Sequence, residues 1–167
     1  MESNKVIFYQ NPFYDDVFII FDITVPSKRI RYKQNEDKKI VEIILSRGTK
    51  EFEEYIKYKL ETKPEWPHKG RLLIAIQIMI KESDYKHKDI DNVTKSILDA
   101  LKGIVYEDDI QIDMIHIQKI KSDKYSFAVG IKVLDDDDTA LYFPPLFSKK
   151  EFNDEQSYTY FAKLKKD

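Results

Sequence analysis

Lys88-Asp89-Ile90-Asp91-Asn92, followed by an amphipathic helical pattern and then by Tyr106-Glu107-Asp108-Asp109, places carboxylates on both sides of one helix. In an extended segment alternate side chains share a face. Asp89 and Asp91 are therefore expected to point the same way, with Ile90 directed into the core and Asp91 as N-cap of the helix, a position aspartate favours. Gly103 can end that helix and turn the chain back. If the two ends met, several carboxylate oxygens would converge with no histidine or cysteine nearby. Oxygen donors alone suit magnesium, a small hard cation that keeps waters for a phosphate substrate.

Outward from this stretch the pattern is that of an α+β domain. Val17 to Val25 is rich in Ile, Phe and Val and reads as a strand closed by Pro26. Lys28, Arg29, Arg31 and Lys33, with Tyr32 among them, read as a basic loop. A short strand is expected over Ile40 to Leu45 and a helix from about Thr49 to Glu61, where Phe52, Tyr55, Ile56 and Leu60 fall on one face. Leu72 to Ile80 is an almost unbroken apolar run, the mark of an interior strand. Val93, Ile97, Ala100 and Leu101 form the buried stripe of the helix opened at Asp91. Ile110 to Ile120 reads as a strand whose alternation slips at Asp113 and Met114, as a bulge would make it. Tyr125, Phe127, Val129, Ile131 and Val133 alternate strictly in the last strand. One mixed sheet with helices packed against it is expected over 1–134, with 135–167 as an acidic, aromatic-containing C-terminal extension.

Composition narrows the class. A chain of 167 residues with 42% hydrophobic and 13% aromatic content can bury a core, so its 35% charge does not signal disorder. Zero cysteines exclude a disulfide scaffold and a thiolate zinc site. No apolar run spans a bilayer and no signal-like core opens the chain, so a cytoplasmic protein with no membrane partner is expected. The net charge of −2 is unevenly spread. Residues 135–167 hold eight acids against five bases, leaving 23 basic and 22 acidic side chains in 1–134. Phosphate affinity follows local clusters rather than the whole-chain sum.

The segment Asp89-Ile90-Asp91-Asn92, Lys95, Leu98-Asp99-Ala100-Leu101, Gly103 and Glu107-Asp108-Asp109-Ile110-Gln111-Ile112 resembles the core of the RusA-type Holliday junction resolvases. Pro26-Ser27 before the basic loop, and Ser46, Gly48 and Lys50 at the first helix, agree in order. The resemblance covers roughly 17–134, and Lys88 stands where such proteins usually have proline. It implies a homodimeric, magnesium-dependent endonuclease acting on four-way DNA junctions. It carries the catalytic and metal-binding aspartates onto Asp89, Asp91 and Asp109, and the catalytic lysine onto Lys95.

Each assignment has a plainer alternative. Asp91 would be explained by capping alone. Lys95 could pair with Asp99, although a lysine early in a helix opposes the macrodipole and Lys-then-Asp is the poorer order. Asp108 reads as a neighbour of the ligand Asp109. The charged loop 28–33 could be solvated surface, but its arginines and Tyr32 suit phosphate contact and stacking. Lys86 and Lys88 flank the acids as DNA contacts or as relief of their repulsion, and Lys119 and Lys121 are weaker DNA-contact candidates. Two other functions fit the same residues: a non-catalytic nucleic-acid-binding dimer, and a metal-dependent phosphoryl-transfer enzyme acting on nucleotides.

Overall fold

The run from Arg71 to Lys81 is a strand whose even positions Leu72, Ile74, Ile76, Ile78 and Ile80 are all buried, as a strand covered by helices requires. A computed structural model describes residues 5–27, 48–60 and 62–135 in full, and 31–35 and 40–44 by their backbone. Its elements are β1 (Val6–Tyr9), β2 (Asp16–Phe21), β3 (Arg31–Asn35), β4 (Ile40–Ile44), α1 (Thr49–Lys59), β5 (Arg71–Lys81), α2 (Glu82–Tyr85), α3 (Ile90–Leu101), a 3-10 turn Asp109–Gln111, β6 (Ile112–Ser122) and β7 (Ser126–Leu134).

Five strands form one sheet in the order β1-β2-β7-β5-β6, and β3 pairs only with β4 in a separate antiparallel ribbon. The β1/β2 and β2/β7 pairs are antiparallel, while β5/β6 is parallel, so the sheet is mixed as expected. Leu72 pairs with Ile112 and Leu73 with Met114, which leaves Asp113 as the bulged residue anticipated from the slipped alternation. Arg71 Nε donates to the carboxylate of Asp113 across the bulge at 2.5 Å.

α1 packs on α3. Phe52, Ile56 and Leu60 from one helix and Val93, Ile97, Ala100 and Leu101 from the other join a single core with Phe18, Ile20, Phe127 and Ile131 of the sheet. Each of these larger side chains stabilises the fold by about 1.5–3 kcal/mol on burial. The same core clamps α3, so its polar first turn is held on a rigid support.

Several expectations change. The β2 strand ends at Phe21 rather than Val25, because Asp22 turns the backbone to φ 54°. Ile23 and Val25 remain buried beyond the strand. Arg31 and Lys33 stand on β3, opposite Ile44 and Glu42, instead of in a loop. Lys28 and Arg29 lie outside the described residues, as do the aromatic side chains of the C-terminal extension. Ile110 and Gln111 belong to the 3-10 turn, and the strand begins at Ile112. β1 and α2 had no clear signature in the sequence.

The segment between α1 and β5 is fastened from below by a buried carboxylate. Asp16, at the start of β2, has a side chain only 2% exposed. It accepts hydrogen bonds from Trp66 Nε1 and His68 Nε2, each at 2.7 Å, and from the Lys63 ammonium. Burial alone would raise its pKa, but the donors His68, Lys63 and Trp66 and the charge of Lys63 outweigh that and lower it to about 2.

Candidate active site

α3 begins one residue earlier than the sequence suggests. Its N-cap position is Asp89, in extended conformation at ψ 133°, and Asp91 lies inside the first turn. The cap-only reading of Asp91 is therefore overturned: the side chain is exposed and is not the cap. Asp89 does not cap through its carboxylate either, which instead accepts from Asn92 Nδ2 at 3.2 Å. Ile90, expected in the core, is 40% exposed because helical rather than extended geometry turns it outward. Asp91 in the first turn is stabilised by the positive end of the helix. Lys95, four residues on, shares its face and is exposed. Deeper in the helix Ser96 Oγ donates to Pro26 O at 2.7 Å, tying α3 to the stretch that leads toward β3.

An open cleft of about 690 Å³ lies beside this turn, lined by Lys86, Lys88, Asp89, Asp91, Gln118 and Lys119 among others. The two flanking lysines differ. Lys86 is exposed, whereas the Lys88 ammonium donates to Val25 O at 2.9 Å. Burial lowers the Lys88 pKa against an opposing pull from Asp84.

The second acidic group is built at the other end of α3. The helix closes at Lys102, and Gly103 follows at φ 75°, the left-handed geometry expected of a helix-ending glycine. Gly103 N then bonds Tyr106 O at 2.7 Å. The buried Tyr106 hydroxyl contacts Leu98 O at 2.8 Å and Asp109 Oδ1 at 3.1 Å. Burial and the charge of Asp109 raise the Tyr106 pKa far above its ordinary value, so the phenol stays a neutral donor. Asp108 accepts from Ile110 N at 3.2 Å, capping the 3-10 turn, and its other oxygen pairs with Lys102 Nζ at 3.0 Å. Those two hydrogen bonds lower its pKa.

Gln111 holds this loop, although its residue type alone gave no sign of it. Its oxygen accepts from the backbone N–H groups of Glu107 and Asp108 at 2.8 and 2.9 Å. Its nitrogen donates to His68 O and Gly70 O at 3.1 and 2.9 Å. A side-chain amide can accept twice through its oxygen and donate twice through its nitrogen, and all four capacities are used here. The adjacent Asp108-Gln111 spacing, the form of a capping box, was the available signal.

The three aspartates fit magnesium in kind but not, within one chain, in place. Asp109 is tethered through Tyr106 to Leu98, and Leu98 is seven residues from Asp91, about 10 Å along the helix axis. Oxygens sharing one magnesium must lie within about 4 Å of each other, given ligand distances of about 2 Å. Among the described residues no group of three acidic, histidine or cysteine side chains could hold a metal ion.

Also among the described residues, no helix is long and apolar enough to cross a membrane. A family model described as endodeoxyribonuclease RusA matches residues 22–133. No curated protein matches the chain.

Proposed function

The chain belongs to the RusA endodeoxyribonuclease family, and on that premise we propose that it resolves four-way DNA junctions as a magnesium-dependent homodimer making paired cuts on opposed strands. Asp89, Asp91 and Asp109 are the proposed catalytic and metal-binding residues, and Lys95 the catalytic lysine. The supporting observation is the exposed first turn of α3, where Asp91 and Lys95 share a face beside a cleft bordered by Asp89 and Lys86. Lys95 is suited to neutralise charge developing on the phosphoryl group, and the helix N-terminus favours an approaching phosphate.

The 10 Å gap gives the dimer a specific task. We infer that the partner's Asp109 completes the site opened by Asp89 and Asp91. Among the described strands β6 is an outer strand, with Ile115 43% exposed on it and Ile110 87% exposed just before it. Residues 117–119 of β6 border the cleft of Asp89 and Asp91, while Asp109 precedes the strand by three residues. Two-fold antiparallel pairing of β6 with its own copy sets the start of one strand against the end of the other. That carries the partner's Asp109 toward Asp89. Two such sites, related by the same axis, match the symmetry of a four-way junction.

The test is a mixed dimer. Asp91→Asn and Asp109→Asn subunits with different tags are co-expressed and isolated by tandem affinity steps. Each variant homodimer should bind a labelled junction and leave it uncut in magnesium. The mixed dimer keeps one intact shared site and should nick one strand. Wild-type cleavage with an inert mixed dimer would place all three aspartates in one subunit after all. Wild-type binding without magnesium-dependent, EDTA-sensitive cleavage would leave the protein a junction binder.

A further inference from the structure

We propose that Lys119 is a positioning residue for the nuclease, fixing Asp89 through a latch with Tyr85, and that it makes no contact with DNA phosphate; the assignment rests on the nuclease reading above. Lys119 lies on β6 at the edge of the cleft, where a lysine would ordinarily be taken for a phosphate contact. Its ammonium is already committed. Lys119 Nζ donates to Tyr85 O and to Lys88 O, each at 2.9 Å, and stands 4.3 Å from the centre of the Tyr85 ring. An ammonium has three protons. Two carbonyls and an aromatic face use all of them, and a phosphate could be reached only by giving one up. The fastening is reciprocal, since Tyr85 Oη donates to Lys119 O at 3.2 Å.

The position of these bonds gives them their consequence. Lys88 O belongs to the peptide that leads into Asp89, and Tyr85 ends α2. The latch thus joins the outer strand of the sheet to the short connection from β5 to α3. Lys88 is drawn inward as well, through its own bond to Val25 O. Asp89 is therefore held from one side by the sheet edge and from the other by the rigid α3. The connection itself is only a four-residue helix and a turn, with no buried residue in α2. Without Lys119 the approach to Asp89 loses its principal polar anchor while the hydrophobic core stays as it was.

Lys119→Met removes the charge and keeps the aliphatic stem. The expected result is a single-turnover cleavage rate lower by about a hundredfold, the scale of a 1 Å misplacement. Junction affinity, the slope of log affinity against log salt, and the thermal midpoint should stay close to wild type. Lys86→Met should show the opposite pattern, weaker binding with a slope smaller by about 0.9. A reduced slope in Lys119→Met would make Lys119 a phosphate contact, and an unchanged cleavage rate would make it a purely structural tie; either overturns the proposal. If Lys119→Met does not fold, Tyr85→Phe removes only the bond to Lys119 O and should give the same rate-specific loss in smaller degree. A wild-type protein that binds junctions but never cuts them would remove the underlying nuclease reading instead, a distinct outcome under which the proposal falls too.

Discussion

Asp16 shows how far one carboxylate can govern stability. Its pKa is about 2 in the fold against about 4 in an unfolded chain. A lowered carboxyl contributes stability that is fully present above the unfolded value and is lost as pH falls through the folded one. The loss should therefore fall between about pH 4 and pH 2, on the order of 2 kcal/mol. Urea midpoints measured down this range should drop for wild type, and Asp16→Asn, less stable at neutral pH, should lack that part of the acid limb. Parallel curves for the two proteins would refute the assignment. Asp108 and Asp84 are also shifted down but lie in water, where screening leaves little energy. At this scale the acids and Lys95 were legible from residue type and spacing. The supporting roles of Gln111, Tyr106 and Lys119 were not, because they depend on backbone groups far away in sequence that only the fold brings within reach.

Elements with a long apolar period were readable in advance, and short ones were not. The stripes of α1 and α3, the alternation of β7 and the bulge at Asp113 are all written in side-chain period. By contrast α2, Glu-Ser-Asp-Tyr, is too short to have one, and its lone turn is stabilised by Tyr85 and by Tyr125 Oη on Asp84 at 2.5 Å. β3, Arg-Tyr-Lys-Gln-Asn, has a weak strand propensity and exists by pairing with the strongly β-prone Ile40–Ile44. The pairing turns a charged loop into one arm of a ribbon, with Arg31 and Lys33 at alternate positions. Replacing Arg29 and Arg31 with Ala should weaken junction binding and lower the logarithmic salt slope by ~0.9 for every phosphate that the arm then leaves unneutralised. A slope equal to wild type would return this arm to ordinary solvated surface.

For the whole molecule, the family match and the compact unit Met1–Val133 end at the same residue. A chain cut after Leu134 keeps β7 entire and sheds the run Asp135 to Asp138, whose charges repel each other and DNA. It should stay dimeric by light scattering and still cut junctions in magnesium. A monomeric or insoluble product would show that residues 135–167 belong to the fold. The place of β7 in the sheet has a further consequence, for synthesis. The last described strand is inserted between β2 and β5, in the middle of the sheet. A nascent chain that has not yet delivered residues 126–134 owns a β1/β2 hairpin and a β5/β6 pair with facing unfilled edges, and two-stranded pieces are marginal at best in water. The protein cannot be finished from its N-terminus forward. The acidic turn of α3 leaves the ribosome well before the strand that lets its support close, so an incomplete chain has no ordered means of cutting the genome of the cell that is making it.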